Sequence, residues 1–175
     1  MKALITGAGG FLGQNLVNFL LDKDFEIFNL GKNPSKDCIH CSLPDISDES
    51  SINEHIRRIK PDYLFHFAGT SNAISDLSEC FRVNAIFASD LFSAIKKSDL
   101  QRHTKIIILG TAAEYGLMDR SHMPLSEVAS TNPVSPYGIS KLAQTFFAKA
   151  EFKNFQQLTV IRPFNIIGPK MPVHL

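Results

Sequence analysis

Neither an excess of charge nor a long apolar run marks this 175-residue chain. Its 18 Lys and Arg residues against 17 Asp and Glu leave a net charge of +1. Nothing global therefore recommends a nucleic acid or an anionic membrane as partner, and any anion must be bound locally. No basic stripe suggests a nucleic-acid surface. No apolar stretch approaches the ~18 to 20 residues of a membrane span, and the N-terminus lacks the charged start, apolar stretch and cleavage site of a signal peptide. Cysteine is scarce: three residues, an odd number, fit reduced thiols in the cytoplasm better than a disulfide framework. Cys38-Ile39-His40-Cys41 clusters two thiols and an imidazole, and Cys80 could join them. A structural zinc usually needs a second paired knuckle, however, and this segment alternates like a short strand, so no metal is expected. His66 and His103 read as a strand residue and a loop residue.

What is present is a 44% hydrophobic chain with ten glycines, long enough for one domain with a substantial core. Short apolar runs alternate with amphipathic stretches, the pattern of an α/β fold with a parallel sheet covered by helices on both faces. Strands are expected at Lys2 to Thr6, Glu26 to Leu30, Cys38 to Leu43, Tyr63 to Phe67, Lys105 to Leu109 and Leu158 to Ile161. One helix starts from the capping run Ser47-Asp48-Glu49-Ser50-Ser51 and closes at Pro61. Phe81 to Lys97 reads as another, and a third runs from Pro136 with Ile139, Leu142, Ala143, Phe146, Phe147 and Ala150 at helical spacing. Tyr137 and Lys141 then lie at the edge of that apolar stripe. Met118 to Pro133 is the longest irregular connection, and loops of such length are often functional.

Two segments carry chemistry. Thr6-Gly7-Ala8-Gly9-Gly10-Phe11-Leu12-Gly13 joins the first strand to a helix on which Leu16, Val17, Leu20 and Leu21 recur. Glycine dihedrals make the tight turn, bare backbone admits a diphosphate, and the N–H groups of the helix start attract its charge, so this turn reads as a dinucleotide cradle. The second is Tyr137-Gly138-Ile139-Ser140-Lys141, where helical spacing sets a phenol beside an ammonium. A neighbouring cation favours the phenolate, so Lys141 is expected to lower the Tyr137 pKa and yield a general acid or base for neutral pH.

With both segments in one chain, the sequence resembles the extended short-chain dehydrogenase/reductases, the NAD-dependent epimerase/dehydratase family of nucleotide-sugar enzymes. The glycine turn has that family's Thr-Gly-x-x-Gly-Phe/Tyr-x-Gly form. The resemblance implies a Rossmann fold binding NAD or NADP through Gly7, Gly9, Gly10, Phe11, Leu12 and Gly13. Asp45-Ile46 is similar to the pair that contacts the adenine. Phe67, Ala68 and Gly69 resemble the strand end lining the cofactor, and Asn84 stands where the family has a helical asparagine. Thr111 in Gly110-Thr111-Ala112-Ala113-Glu114-Tyr115-Gly116 resembles the active-site Ser or Thr. Thr111, Tyr137 and Lys141 are thus implied as catalytic, with Lys141 also holding the nicotinamide ribose. Arg162-Pro163-Phe164-Asn165-Ile166-Ile167-Gly168-Pro169 is similar to the loop facing the nucleotide sugar, with Pro163 on the cofactor. Thr111, Ala112, Glu114 and Asn165 are implied as substrate-binding.

Departures narrow the expectation. The family's dehydratases carry an acid pair after the active-site Thr, whereas Ala112 and Ala113 stand here, which argues against elimination. Glu114 and the segment from Arg162 are most similar to the 4-keto-6-deoxy-sugar reductases. A 4-epimerase, or a non-catalytic dinucleotide-binding module, remains the alternative. Where an NAD-preferring enzyme has an Asp for the ribose diol, this chain has Gly31, Lys32 and further on Lys36, which favours NADP. The resemblance also implies a homodimer through the helices at Phe81 to Lys97 and Pro136 to Glu151, with Phe87, Phe92, Phe146 and Phe147 as its apolar surface. Family members continue past the Gly168-Pro169 turn into a smaller substrate domain. With the sequence ending at Leu175, residues 1–175 are expected to bind NAD(P) but to turn over nucleotide sugars poorly.

Overall fold

The structure, a computed structural model, describes residues 1–70, 76–119, 121, 123–153 and 156–171. Six strands, β1 (Lys2–Thr6), β2 (Glu26–Gly31), β3 (Ile39–Ser42), β4 (Tyr63–His66), β5 (Lys105–Leu109) and β6 (Leu158–Ile161), form one sheet in the order β3-β2-β1-β4-β5-β6. Every pairing is parallel. The order reverses between β1 and β4, the switch point at which such sheets open a crevice beyond their C-terminal ends.

Alternation along β1 sends Leu4 to one face and Ala3 and Ile5 to the other. Because both faces are covered there, the strand reads as a continuous apolar run. Leu4, Leu64, Ile106 and Ile108 pack under α2 (Glu49–Ile59) and α4 (Phe87–Lys97) through Ile52, Ile56, Leu91, Phe92 and Ile95. Ala3, Ile5 and Ile27 pack under α1 (Phe11–Leu21) through Val17 and Leu20. On the α1 side, Tyr63, Phe65 and Phe67 form an aromatic row along β4.

The expected capping is present on α2: Asp48 accepts from Ser51 N at 3.0 Å, Ile52, Ile56 and Ile59 face the core, and Lys60 closes the helix in the left-handed region before Pro61. Such a cap contributes about 1 kcal/mol. The helix expected from Phe81 begins earlier and is not uniform. Leu77–Cys80 forms α3, Phe81–Ile86 is a π-helical stretch, and regular α4 follows.

On the last helix, α5 (Pro136–Glu151), Lys141 lies on the buried face and not at its edge. Ser135 caps it by accepting from Gly138 N at 3.0 Å, with Pro136 in the first turn. Its buried residues are Gly138, Ser140, Lys141, Gln144, Thr145 and Ala148, while Phe146 is 56% exposed and Ile139 and Phe147 are each 37% exposed. The polar side therefore faces in. It can do so because each buried polar group has a partner. Ser140 Oγ donates to Tyr137 O and accepts from Asn84, Lys141 donates to Gln144, Gln144 donates to Leu109 O, and Thr145 donates to Glu114. The rings expected as dimer surface also divide. Phe87 and Phe92 are buried in this chain's own core, Phe92 edge-on to Phe152, which leaves Phe146 and Phe147 outside.

Candidate active site

The turn after β1 and the turn after β4 flank the switch point and press on each other. Gly7 has φ 74°, and a Cβ there would lie 2.6 Å from Ala68 N and 2.8 Å from Phe67 C. A Cβ on Gly13 would run into Gly7 O and lie 2.7 Å from Ala8 Cα. These two glycines serve close packing. Gly9 and Gly10 differ: among the described residues a Cβ on Gly9 meets nothing within 4 Å, and one on Gly10 meets only Gly7 O at 3.3 Å. Their bare side is open surface above the start of α1. The first turn of that helix carries no acidic side chain and offers N–H groups that the helix itself does not use. The cradle suits a diphosphate.

Beneath it, Thr6 Oγ1 accepts from Ala68 N at 3.2 Å and lies 2.8 Å from His66 Nδ1. His66 is fully buried, packs edge-on to Phe87 at 5.5 Å between centroids, and its Nε2 has no partner among the described residues. Burial first, then the Lys141 charge, pushes its pKa down from 6.5 to about 3. The unfolded chain binds a proton here near pH 6.5 that the folded chain refuses until about 3, so folding stability should fall as pH drops through that interval. Urea unfolding between pH 7 and 4 should show a shallower loss for His66→Gln than for the native chain. Equal slopes would assign the acid sensitivity to other groups.

A cleft of about 640 Å³ opens over these turns. From the expected residues it gathers Gly7, Gly10, Phe11, Leu12 and Gly13 on one side, Phe67 and Gly69 beside them, and Thr111, Tyr137, Lys141, Pro163 and Asn165 opposite. Thr111 is at the end of β5, where its hydroxyl accepts from Ala113 N at 3.2 Å to start the 3-10 turn Ala112–Glu114. Gly138 lets α5 approach that turn, since a Cβ there would lie 2.7 Å from Ala113 O. The phenol and the hydroxyl thereby meet.

The expected electrostatics are corrected. Lys141 Nζ donates to Gln144 Oε1 at 2.6 Å, and Gln144 is itself held by Leu109 O at 3.1 Å. With the ammonium engaged there, the Tyr137 pKa lies above its ordinary value: burial raises it most, the Thr111 hydrogen bond opposes, and the Glu114 carboxylate adds. The phenol is protonated at neutral pH. Burial lowers the Lys141 pKa to about 8, against the opposing pull of Glu114.

Other expected residues lie outside the cleft lining. Glu114 is wholly buried, and its carboxylate is engaged by Thr111 N at 3.0 Å and Arg162 Nε at 2.7 Å. Asn84, on the π-helical stretch, accepts from Thr70 N at 2.8 Å and donates to Thr70 O and Ser140 Oγ. It stitches the β4 turn to α5 under the floor. Ala68 backs the glycine turn, and Ala112 binds the strap after β6 through N–H to Pro163 O at 2.9 Å. Asp45 is exposed, with its carboxylate on Ser47 N at 2.8 Å, and Ile46 packs on the core. Lys32 is exposed just past β2.

Sequence reasoning missed Thr70, Leu109 and Met171 in the lining and the supporting Thr6, Ser140, Gln144 and Thr145. A signal was present for the last three. Polar residues recurring beside Lys141 mark a second face of α5, which attention to the apolar stripe obscured.

The parallel sheet, its switch point and the glycine turn define a dinucleotide-binding fold of the Rossmann class. A sequence model described as the NAD dependent epimerase/dehydratase family matches residues 3–174, and the chain belongs to that family. It is 28% identical over 170 residues to the GDP-6-deoxy-D-talose 4-dehydrogenase of Aggregatibacter actinomycetemcomitans, covering 96% of this chain and 54% of that one. It is 29% identical to the UDP-glucose 4-epimerase of Mycoplasma genitalium, covering 98% of this chain and 54% of that one. The solved structure of UDP-glucuronic acid 4-epimerase from Bacillus cereus, in complex with NAD, shares the fold with a TM-score of 0.82 at 22% identity, over 100% of this chain and 60% of that one. The chain spans about half the length of the curated relatives it matches. Among the described residues no helix is long and apolar enough to cross a membrane.

Proposed function

We propose that residues 1–175 are the dinucleotide-binding domain of an NAD(P)-dependent nucleotide-sugar oxidoreductase, which reduces a 4-keto-6-deoxy sugar with Tyr137 as proton donor. The sugar and nucleotide contacts come from the region that makes up the rest of the relatives' length. The observation that carries this reading is the convergence of Thr111, Tyr137 and Lys141 on the cleft of the glycine turn. A bound nicotinamide supplies the hydride. As hydride reaches a carbonyl carbon, negative charge grows on its oxygen, and a donor already aimed there stabilises it. Thr111 donates through its hydroxyl, and Tyr137, protonated at neutral pH, delivers the proton. Lys141 supplies positive charge and a donor for the ribose beside that phenol. Ala112 and Ala113 leave the turn without the acid pair that elimination would use. Similarity to a GDP-6-deoxy-sugar 4-dehydrogenase supports chemistry at the same carbon, and similarity to a 4-epimerase favours epimerisation as the second reading.

Titration of NAD and NADP into the chain, followed by turnover on a panel of nucleotide 4-keto sugars, tests the proposal. Binding of neither dinucleotide would sink it. NADP is the proposed preference, because Lys32 follows β2 where a carboxylate would repel a 2′-phosphate. Lys32→Ala should weaken NADP about tenfold, the scale of one charge-assisted hydrogen bond, and leave NAD unchanged. Equal losses would remove the preference.

A homodimer through α4 and α5 belongs to the same proposal. Its support is the outward apolar face of Ile139, Phe146 and Phe147 on α5 together with Ile86 before α4. A Phe146→Glu, Phe147→Glu chain should sediment as a monomer while keeping its circular dichroism. A native chain that is monomeric at micromolar concentration would count against the dimer.

A further inference from the structure

Glu114 is 0% exposed, and its contacts tie together three segments that carry the cleft. Oε1 accepts from Thr111 N at 3.0 Å, Oε2 accepts from Arg162 Nε at 2.7 Å, and the Thr145 hydroxyl lies 3.2 and 3.1 Å from the two oxygens. The end of β5, the strap after β6 and α5 therefore meet on one carboxylate. Gly110 is bare for the same reason. A Cβ there would run into Glu114 Oε1 and lie 3.1 Å from Arg162 Cγ. The guanidinium is fixed in turn by the Tyr115 hydroxyl and Glu127 O, each 3.4 Å from Nη1, and lies 5.1 Å from the centre of the Tyr115 ring.

An ion pair at this depth is a poor device for stability alone, because desolvating both charges offsets much of their attraction and apolar side chains of similar volume often serve as well. Its geometry has a different consequence. We propose that Glu114, held by Arg162, is a positioning residue for the proton-donor pair: it fixes the Thr111 backbone so that the Thr111 hydroxyl stays on the Tyr137 phenol. This rests on the reading above, in which Tyr137 delivers the proton. After burial, the same carboxylate raises the Tyr137 pKa against the lowering effect of the Thr111 hydrogen bond, while the Lys141 ammonium on α5 is turned onto Gln144 and the Arg162 guanidinium after β6 onto Glu114 itself. Removing that charge makes the phenolate easier to form.

Two substitutions separate charge from reach. Glu114→Gln keeps the shape and an acceptor for Thr111 N but loses the charge. In the unliganded chain with ring-13C tyrosine, the Tyr137 signal, assigned by its loss in Tyr137→Phe, should titrate at lower pH in Glu114→Gln than in the native chain, with Tyr63 unmoved. An unshifted Tyr137 overturns the proposal. Glu114→Asp keeps the charge but is one methylene too short to hold Thr111 N and Arg162 together. Its Thr111 amide should exchange with solvent at least about tenfold faster while Ile106 and Ile108 keep their protection; a Thr111 amide as protected as in the native chain overturns the proposal equally. If Glu114→Gln does not fold, Glu114→Asp decides. Dinucleotide titration of the native chain, run alongside, separates the two failures. Absence of binding there removes the functional reading and leaves the spectroscopic outcomes standing.

Discussion

A Gly10→Val chain should keep its fold and lose dinucleotide binding by at least about 100-fold, equivalent to about 2.7 kcal/mol. Gly10 has φ −76° and ψ 172°, extended backbone that valine adopts readily. Among the described residues the only nearby obstacle to its Cβ is Gly7 O at 3.3 Å, so the chain needs to give by only a few tenths of an ångström. The added methyls project instead over the start of α1, where a diphosphate must approach the backbone N–H groups. Gly13→Ala should behave in the opposite way. Its Cβ runs into Gly7 O and Ala8 Cα, so the cost falls on folding and should reach the upper end of the ~1–3 kcal/mol of an overpacked core or exceed it. Calorimetric titration paired with urea unfolding checks both. Unchanged affinity in a folded Gly10→Val chain would remove the cradle assignment.

Tyr137→Phe should lower turnover by roughly 10² or more, the usual scale for a general acid, with dinucleotide affinity almost unaffected. The ring that lines the cleft is kept, and only the hydroxyl bonded to Thr111 is lost. Lys141→Ala should harm both turnover and affinity, because it removes a cation from the wall of the dinucleotide cleft and leaves Gln144 Oε1 without its donor. Steady-state rates and titrations on a form with measurable turnover separate the two variants. Near-normal turnover in Tyr137→Phe would place the proton on another residue.

The order of strands and helices along the chain was legible in the sequence, as was the glycine turn of the dinucleotide cradle, because both follow from short-range rules. Apolar runs of strand length alternating with amphipathic helices leave a parallel sheet as the economical solution, and glycine spacing directly after β1 marks the turn that must stay bare. The run around Asp48 announced α2 for the same local reason: a side-chain oxygen before a helical run satisfies an N–H that the helix cannot.

Burial and charge could not be read that way. The apolar stripe of α5 put Tyr137 and Lys141 at its edge, yet Lys141 is buried together with Ser140, Gln144 and Thr145 while Ile139, Phe146 and Phe147 point out. Which face a helix buries depends on the partners that other segments bring to it, here Asn84, Leu109 O and Glu114, all remote in sequence. The spacing of Tyr137 and Lys141 likewise implied a lowered phenol pKa, whereas the fold turned the ammonium onto Gln144 and set Glu114 nearby. The residue types of the proton-donor pair were determined by the sequence itself, since chemistry resides in side chains. Their ionisation was decided only by the tertiary structure, because desolvation and Coulomb forces depend on distance in space and not on separation along the chain.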